Sequence, residues 1–168
     1  MLKRSMYRAA IALLSTLGVA ARGQLPIPRP SLVAGVTHTK LGDSLSSSTS
    51  AIGGLRIDVP LLAVVAEGSV AVFRATEEDE RHTYIIPEVQ AQWQLFQLLI
   101  RPYVGVGAGW FHPFSGSSLG NQATYSASFG VRAGIPLSPV AFRAEFRTRT
   151  IGSTFNRHAN ELTVGVRW

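Results

Sequence analysis

From Ser31 to the C-terminus, apolar and polar residues alternate with a period of two in short runs separated by turn-forming residues, the pattern of strands with one apolar face. Eight runs stand out, approximately Ser31–Thr39, Thr49–Val59, Ala63–Ala75, Thr83–Leu95, Ile100–Phe111, Ala123–Ile135, Val140–Ile151 and Glu161–Trp168. Most have the roughly 9–11 residues that a tilted strand needs to cross a bilayer. The last run sets Leu162, Val164, Val166 and Trp168 on one face against Glu161, Thr163, Gly165 and Arg167 on the other. The seventh opposes Val140, Phe142, Ala144 and Phe146 to Arg143, Glu145, Arg147 and Arg149. The sixth separates Tyr125, Ala127, Phe129, Val131 and Ala133 from Ser126, Ser128, Gly130 and Arg132. The fourth separates Val89, Ala91, Trp93 and Leu95 from Glu88, Gln90, Gln92 and Gln94. The third alternates poorly where it begins, at LLAVV. Pro87 and Pro102 belong near strand ends or beside a bulge, because proline gives no N–H to a ladder.

The connections also alternate. Pro60–Leu62, Phe96–Leu99 and Pro136–Pro139 are short, whereas LGDSLSSS, TEEDERH, HPFSGSSLGNQ and GSTFNRHAN are long. An up-and-down membrane barrel has this asymmetry, with short periplasmic turns and longer outer loops. An even strand number puts both ends of the barrel domain on the periplasmic side. The expected fold is therefore all-β, an eight-stranded antiparallel up-and-down transmembrane β-barrel.

A different pattern precedes it. MLKRSMYR is basic and AAIALLSTLGVA is apolar, and small residues follow, as in a secretory signal peptide. Ala21 and Gly23 set a cleavage frame with Gln24 first in the mature chain, and Val19 and Ala21 set another that starts at Arg22. The expected organisation is a cleaved signal peptide over 1–23 and one barrel domain over 24–168. The net charge of +6 shrinks once Lys3, Arg4, Arg8 and Arg22 leave, since 12 basic residues then face 10 acidic ones. That near balance, with arginines spread over alternate strand positions, argues against nucleic-acid binding. The chain has no cysteine, which excludes disulfides and thiolate metal sites.

Alternation alone does not say which face is inside. A soluble lipocalin-like barrel turns its apolar face inward; a membrane barrel turns it to lipid. Lysine is nearly absent while arginine is abundant, which suits paired, poorly hydrated ion networks. Gly105, Gly107 and Gly109 fall on the polar face, where a narrow lumen demands close packing. Trp93, Trp110, Trp168, Tyr84 and Tyr125 lie near strand ends, where interfacial aromatic belts form. Together these favour a lumen that holds Arg56, Arg101, Arg132, Arg143, Arg147, Arg149 and Arg167 against Asp58, Glu67, Glu88, Glu145 and Glu161. An eight-stranded barrel has room for little more than such side chains. Turned to lipid instead, each arginine would cost about 2–4 kcal/mol at mid-membrane. Arg149 and Glu161 are expected to pair across the last two strands near the outer rim.

The terminal ELTVGVRW resembles the final-strand signal of outer-membrane β-barrels, with Trp168 where phenylalanine is usual. PYVGVGAGW and SASFGVRAGIPL are similar to strands of the small OmpA-type and opacity-type barrel domains. The resemblance extends over residues 31–168. It implies insertion by the outer-membrane barrel assembly machinery, which would read Leu162, Val164, Val166 and Trp168. The expected partners are outer-membrane lipid and lipopolysaccharide, and the expected state is a monomer.

Other chemistry fits less well. GVGAGW lacks the spacing of a phosphate-cradling glycine loop. Lipid A deacylases of this size carry a serine two residues from a histidine, but His158 is followed by Ala159 and Asn160. His38, His82, His112 and His158 all map to outer strand ends or loops, as solvated rim residues rather than metal ligands. Glu77, Glu78, Asp79 and Glu80 form an acidic outer loop that reads as a soluble tip. The sequence thus predicts no catalytic residue, no cofactor and no metal. Its leading reading is a barrel with a structural or surface-interaction role. The alternatives are a narrow porin-like channel or hydrophobic-solute conduit, a lipid A-modifying enzyme, and a secreted soluble barrel.

Overall fold

The computed structural model describes residues 27–41, 47–61, 64–77, 80–95, 99–114, 117, 119–153 and 156–168. The expected signal peptide lies outside them, as do Glu78 and Asp79 of the acidic loop. The described chain forms eight strands: β1 (Arg29–Lys40), β2 (Ser47–Leu61), β3 (Val64–Glu77), β4 (Glu80–Gln94), β5 (Ile100–Pro113), β6 (Gln122–Gly134), β7 (Ala141–Ile151) and β8 (His158–Arg167). Each pairs antiparallel with its neighbour in sequence, and β8 closes on β1 from Ser31↔Arg167 to Lys40↔His158. The result is a closed barrel with no free sheet edge along most of its length.

Several strands outrun the apolar alternation that predicted them. β2 begins at Ser47 and β4 at Glu80, within polar sequence at the long-loop end. Main-chain pairing needs no apolar side chain, so the ladder continues where alternation has stopped. The poor alternation of β3 has a local cause. Val65 points inward and is buried, as is Val33 of β1, so the base of the lumen contains apolar side chains as well as charged ones. Pro87 sits in the middle of β4 rather than near an end. It pairs with Val70 of β3, while the ladder to β5 passes from Ile85↔His112 to Glu88↔Gly109 and skips Ile86 and Pro87. The missing N–H accounts for that interruption. Opposite it stands Gly109, where a Cβ would lie 2.3 Å from the Pro87 carbonyl oxygen. The two backbones approach too closely for any side chain.

The tight turn from β6 to β7 spans Ile135 to Val140, closed by Ile135 N–H to the Val140 carbonyl at 3.2 Å. Leu137 takes φ +62° there and projects fully outward. Trp168 N–H donates to the Pro30 carbonyl at 3.2 Å, which ties the two ends of the barrel domain together at the short-turn end.

The two faces of the wall differ sharply. Outward positions carry Leu32, Val36, Leu55, Ile57, Val70, Val72, Val89, Val104, Val106, Phe129, Phe142, Phe146, Leu162 and Val164, all exposed. Trp93 and Trp168 mark the short-turn end of this apolar band and Trp110 and Tyr125 the long-loop end. Tyr84 departs from the expected belt. It is 0% exposed and faces the lumen, in phase with Glu88 and Gln90 on β4.

Candidate functional site

The middle of the lumen is an ionic layer. Arg56 of β2, Arg143, Arg147 and Arg149 of β7, and Arg132 of β6 point inward with Asp58, Glu67, Glu88, Glu145 and Glu161, and all ten are buried. The strand period places them there. Arg143, Glu145, Arg147 and Arg149 are alternate residues of one strand, so four charges from β7 alone enter the lumen in a column. Glu67 accepts from Arg143 at 2.7 Å and from Arg147 at 2.8 Å. Glu145 takes Arg56 at 2.7 Å, Arg143 at 2.8 Å and Arg147 at 2.9 Å. Glu88 takes Arg147 at 2.6 Å and Arg149 at 3.0 Å. Arg147 thus touches three carboxylates and is the hub. Arg149 also pairs with Glu161, as the sequence suggested. Their position differs from the expected outer rim, since both are buried and Ile151 lies beyond them on β7.

Neutral groups complete the layer. The Tyr103 hydroxyl donates to Glu145 Oε2 at 2.5 Å and accepts from Arg143 Nη2 at 2.8 Å. The Arg132 guanidinium lies 4.3 Å from the centre of its ring. Gln92 Nε2 donates to Glu67 at 2.9 Å and Ser126 to Glu88 at 2.9 Å, while Arg56 reaches Thr163 at 3.3 Å. At Gly107 a Cβ would meet Ser126 Oγ at 2.8 Å and Glu88 Oε1 at 2.9 Å, so the polar-face glycine leaves space that the network uses.

Tyr103 is legible in principle. It shares the phase of Gly105, Gly107 and Gly109, which the sequence already assigns to the lumen. The two remaining predicted lumen arginines behave differently. Arg167 is only partly buried, 3.7 Å from Asp58. Arg101 is exposed at the short-turn end of β5, in phase with the lumen but outside the buried layer. The sequence predicts a lumen of seven arginines; the buried layer holds five, matched by five carboxylates.

Sequence reasoning misses a second layer. Toward the long loops the lumen is apolar, with Leu41, Ile52, Phe73, Ala75, Tyr84, Ile86, Phe111, Leu119 and Ile151 packed together. The Tyr84 and Phe111 rings stack with centroids 4.5 Å apart, and Phe73 lies 5.7 Å from Tyr84. This cap covers the ionic layer.

Beside the cap the wall is split. β2 and β3 pair only from Ile52↔Phe73 to Leu61↔Val64, although β2 runs on to Ser47 and β3 to Glu77. Beyond Ile52, β2 stays with β1 and β3 with β4. The slit holds a cavity of about 740 Å³ lined by Ser48, Ser50, Phe73, Arg74 and Thr76 among others, and Thr76 N–H donates to Ser48 Oγ across it at 3.1 Å.

The four histidines occupy the long-loop end, as expected. His38 bonds Thr49 at 3.0 Å, His112 bonds Asn121 at 2.5 Å, His82 lies 3.8 Å from Glu80, and His158 opens β8. Among the described residues no three metal-ligating side chains converge. Leu162, Val164, Val166 and Trp168 all lie on the exposed outer face.

The described chain is thus a closed eight-stranded antiparallel barrel with a charged, filled interior and an apolar exterior. Comparison with solved structures finds the same fold. The fold matches Neisserial surface protein A with a TM-score of 0.64 at 17% identity, covering 82% of this chain and 95% of that one. It also matches Ail, the attachment invasion locus protein of Yersinia pestis, solved in complex with the heparin analogue sucrose octasulfate, with a TM-score of 0.50 at 14% identity over 84% of this chain and 99% of that one. Both are small eight-stranded outer-membrane β-barrels. No protein-family model matches the chain, and no curated protein matches its sequence.

Proposed function

We propose that this chain is an integral outer-membrane β-barrel with a structural or surface-interaction role, its lumen closed by the Arg/Glu layer. In this reading residues 1–23 are a cleaved export signal, and the barrel assembly machinery recognises Leu162, Val164, Val166 and Trp168. The mature barrel works as a monomer, in contact with outer-membrane lipid and lipopolysaccharide, without catalysis. One observation carries the proposal: the wall is apolar outside and ionic inside. In water the exposed Phe129, Phe142 and Phe146 would be unfavourable, whereas in a bilayer they meet hydrocarbon. Long loops then face outward and the short turns face the periplasm.

Cell fractionation combined with heat-modifiable gel migration tests this. The expected result is an outer-membrane band that migrates faster before boiling than after. A chain recovered in buffer without detergent would contradict it. Planar-bilayer recording adds a second check, since a filled lumen predicts no measurable conductance.

A hydrophobic-solute conduit is the second reading, and the slit between β2 and β3 beside an apolar cap favours it. It requires exchange of an apolar probe between the cap and the bilayer. A Ser50→Cys/Ala75→Cys cross-link across the slit would abolish that exchange.

A further inference from the structure

Arginines gather at the short-turn end of the lumen. There the register sets Arg101 of β5 directly opposite Arg132 of β6, and Arg132 opposite Arg143 of β7. Like charges facing each other on neighbouring strands repel. Arg167 of β8 joins them; Arg132, Arg29 and Arg101 act on it repulsively and Asp58 attractively. Asp58 is already divided among three guanidinium groups. It lies 3.2 Å from Arg132, 3.7 Å from Arg143 and 3.7 Å from Arg167. Around Glu67 and Glu145 the hydrogen-bonded pairs are 2.7–2.9 Å apart. Arg132 is only 3% exposed, and neither its Nε and Nη1 nor the two carboxylate oxygens of Asp58 beside it make a hydrogen bond. With Asp58 shared by Arg132, Arg143 and Arg167, and Arg101 directly opposite Arg132, positive charge exceeds negative at this end of the lumen.

We propose that the short-turn mouth of the lumen binds a compact oxyanion, a phosphate group, between Arg29, Arg101, Arg132 and Arg167. Phosphate suits the arrangement because its oxygens diverge and accept from several guanidinium forks at once, whereas a carboxylate offers only two. The narrow bore of an eight-stranded barrel restricts the ligand to a small group. The phosphate comes either from solution or from a phospholipid headgroup, since the mouth opens beside the lipid-facing Trp168.

The test uses the folded barrel in zwitterionic micelles, titrated in one arm with inorganic phosphate and in the other with a short-chain phosphatidic acid. Binding is read by calorimetry and by ³¹P line broadening. Arg101→Gln/Arg167→Gln should weaken binding by about tenfold or more, because each lost charge-assisted bond accounts for roughly that factor. Asp58→Asn should strengthen it, a gain that a misfolded barrel cannot show. Arg74→Gln/Arg81→Gln, at the opposite end, should leave it unchanged. Heat-modifiable migration verifies that each variant is folded. Variant-sensitive binding of inorganic phosphate assigns the site to a free ion, and such binding of phosphatidic acid alone assigns it to a headgroup. No binding in either arm, or equal binding by wild type and Arg101→Gln/Arg167→Gln, overturns the proposal.

Discussion

The ionic layer and the apolar cap occupy the same lumen and are equally buried, but different forces hold them. In the layer, five arginines and five carboxylates are bonded so densely that Arg147 alone contacts Glu67, Glu88 and Glu145. Every member depends on its partners, because an unpaired buried charge is far more costly than a paired one is helpful. In the cap, Phe73, Tyr84, Phe111 and Ile151 pack without such dependence, and each contributes roughly in proportion to the area it removes from water. A network therefore fails as a unit, whereas an apolar cluster fails one cavity at a time. The narrow lumen of an eight-stranded barrel can be filled by either chemistry, and this one uses both in series.

Substitutions separate the two layers, and the largest effect is expected at the hub. Arg147→Met leaves three carboxylates short of a partner and should lower stability by about 3–5 kcal/mol. Urea unfolding in lipid vesicles measures this, and Arg147→Met combined with Glu67→Gln should recover part of the loss. Phe111→Ala, in the cap, should cost about 3 kcal/mol through the cavity it leaves. No second-site charge change should rescue it, which is the contrast with the layer.

On the outer wall, Phe146→Arg places a charge on the exposed apolar face opposite Leu162, and in the proposed membrane setting about 2–4 kcal/mol should be lost. The loss should shrink for an arginine introduced nearer a strand end, as read by the same titration. Tyr103→Phe removes one hydroxyl from between Arg143 and Glu145 and should cost about 1–2 kcal/mol, the smallest effect of the series. Equal losses at Tyr103 and Arg147 would argue against a hub.

Much of this arrangement is legible in the amino-acid sequence. Strand number, barrel closure and the inward phase of the ten buried charges follow from alternation, because a strand's side-chain period is two and a charge in the lipid phase is expensive. The apolar cap is not legible for the same reason. Phe73, Tyr84 and Phe111 have the same composition as the outward-facing set, and only their phase relative to Glu67, Glu88 and Gly109 places them inside. Position along the axis is what alternation does not encode. That accounts for Arg101, which has the lumen phase but sits beyond the buried layer, and for Arg149 and Glu161, which lie beneath the cap. The slit between β2 and β3 has no sequence signature either. Ser47–Ala51 is polar and strand-compatible, and its departure from β3 is visible only in the register.

The wall is inverted relative to a soluble barrel, apolar outside and ionic inside, and because the chain has no cysteine this inversion can be probed residue by residue. Nitroxide labels introduced singly along β6, through Ser126→Cys, Ala127→Cys, Ser128→Cys, Phe129→Cys and Val131→Cys, report collision with oxygen dissolved in the bilayer. Oxygen accessibility should be high at positions 127, 129 and 131 and low at 126 and 128. The opposite phase, or no alternation, would contradict it.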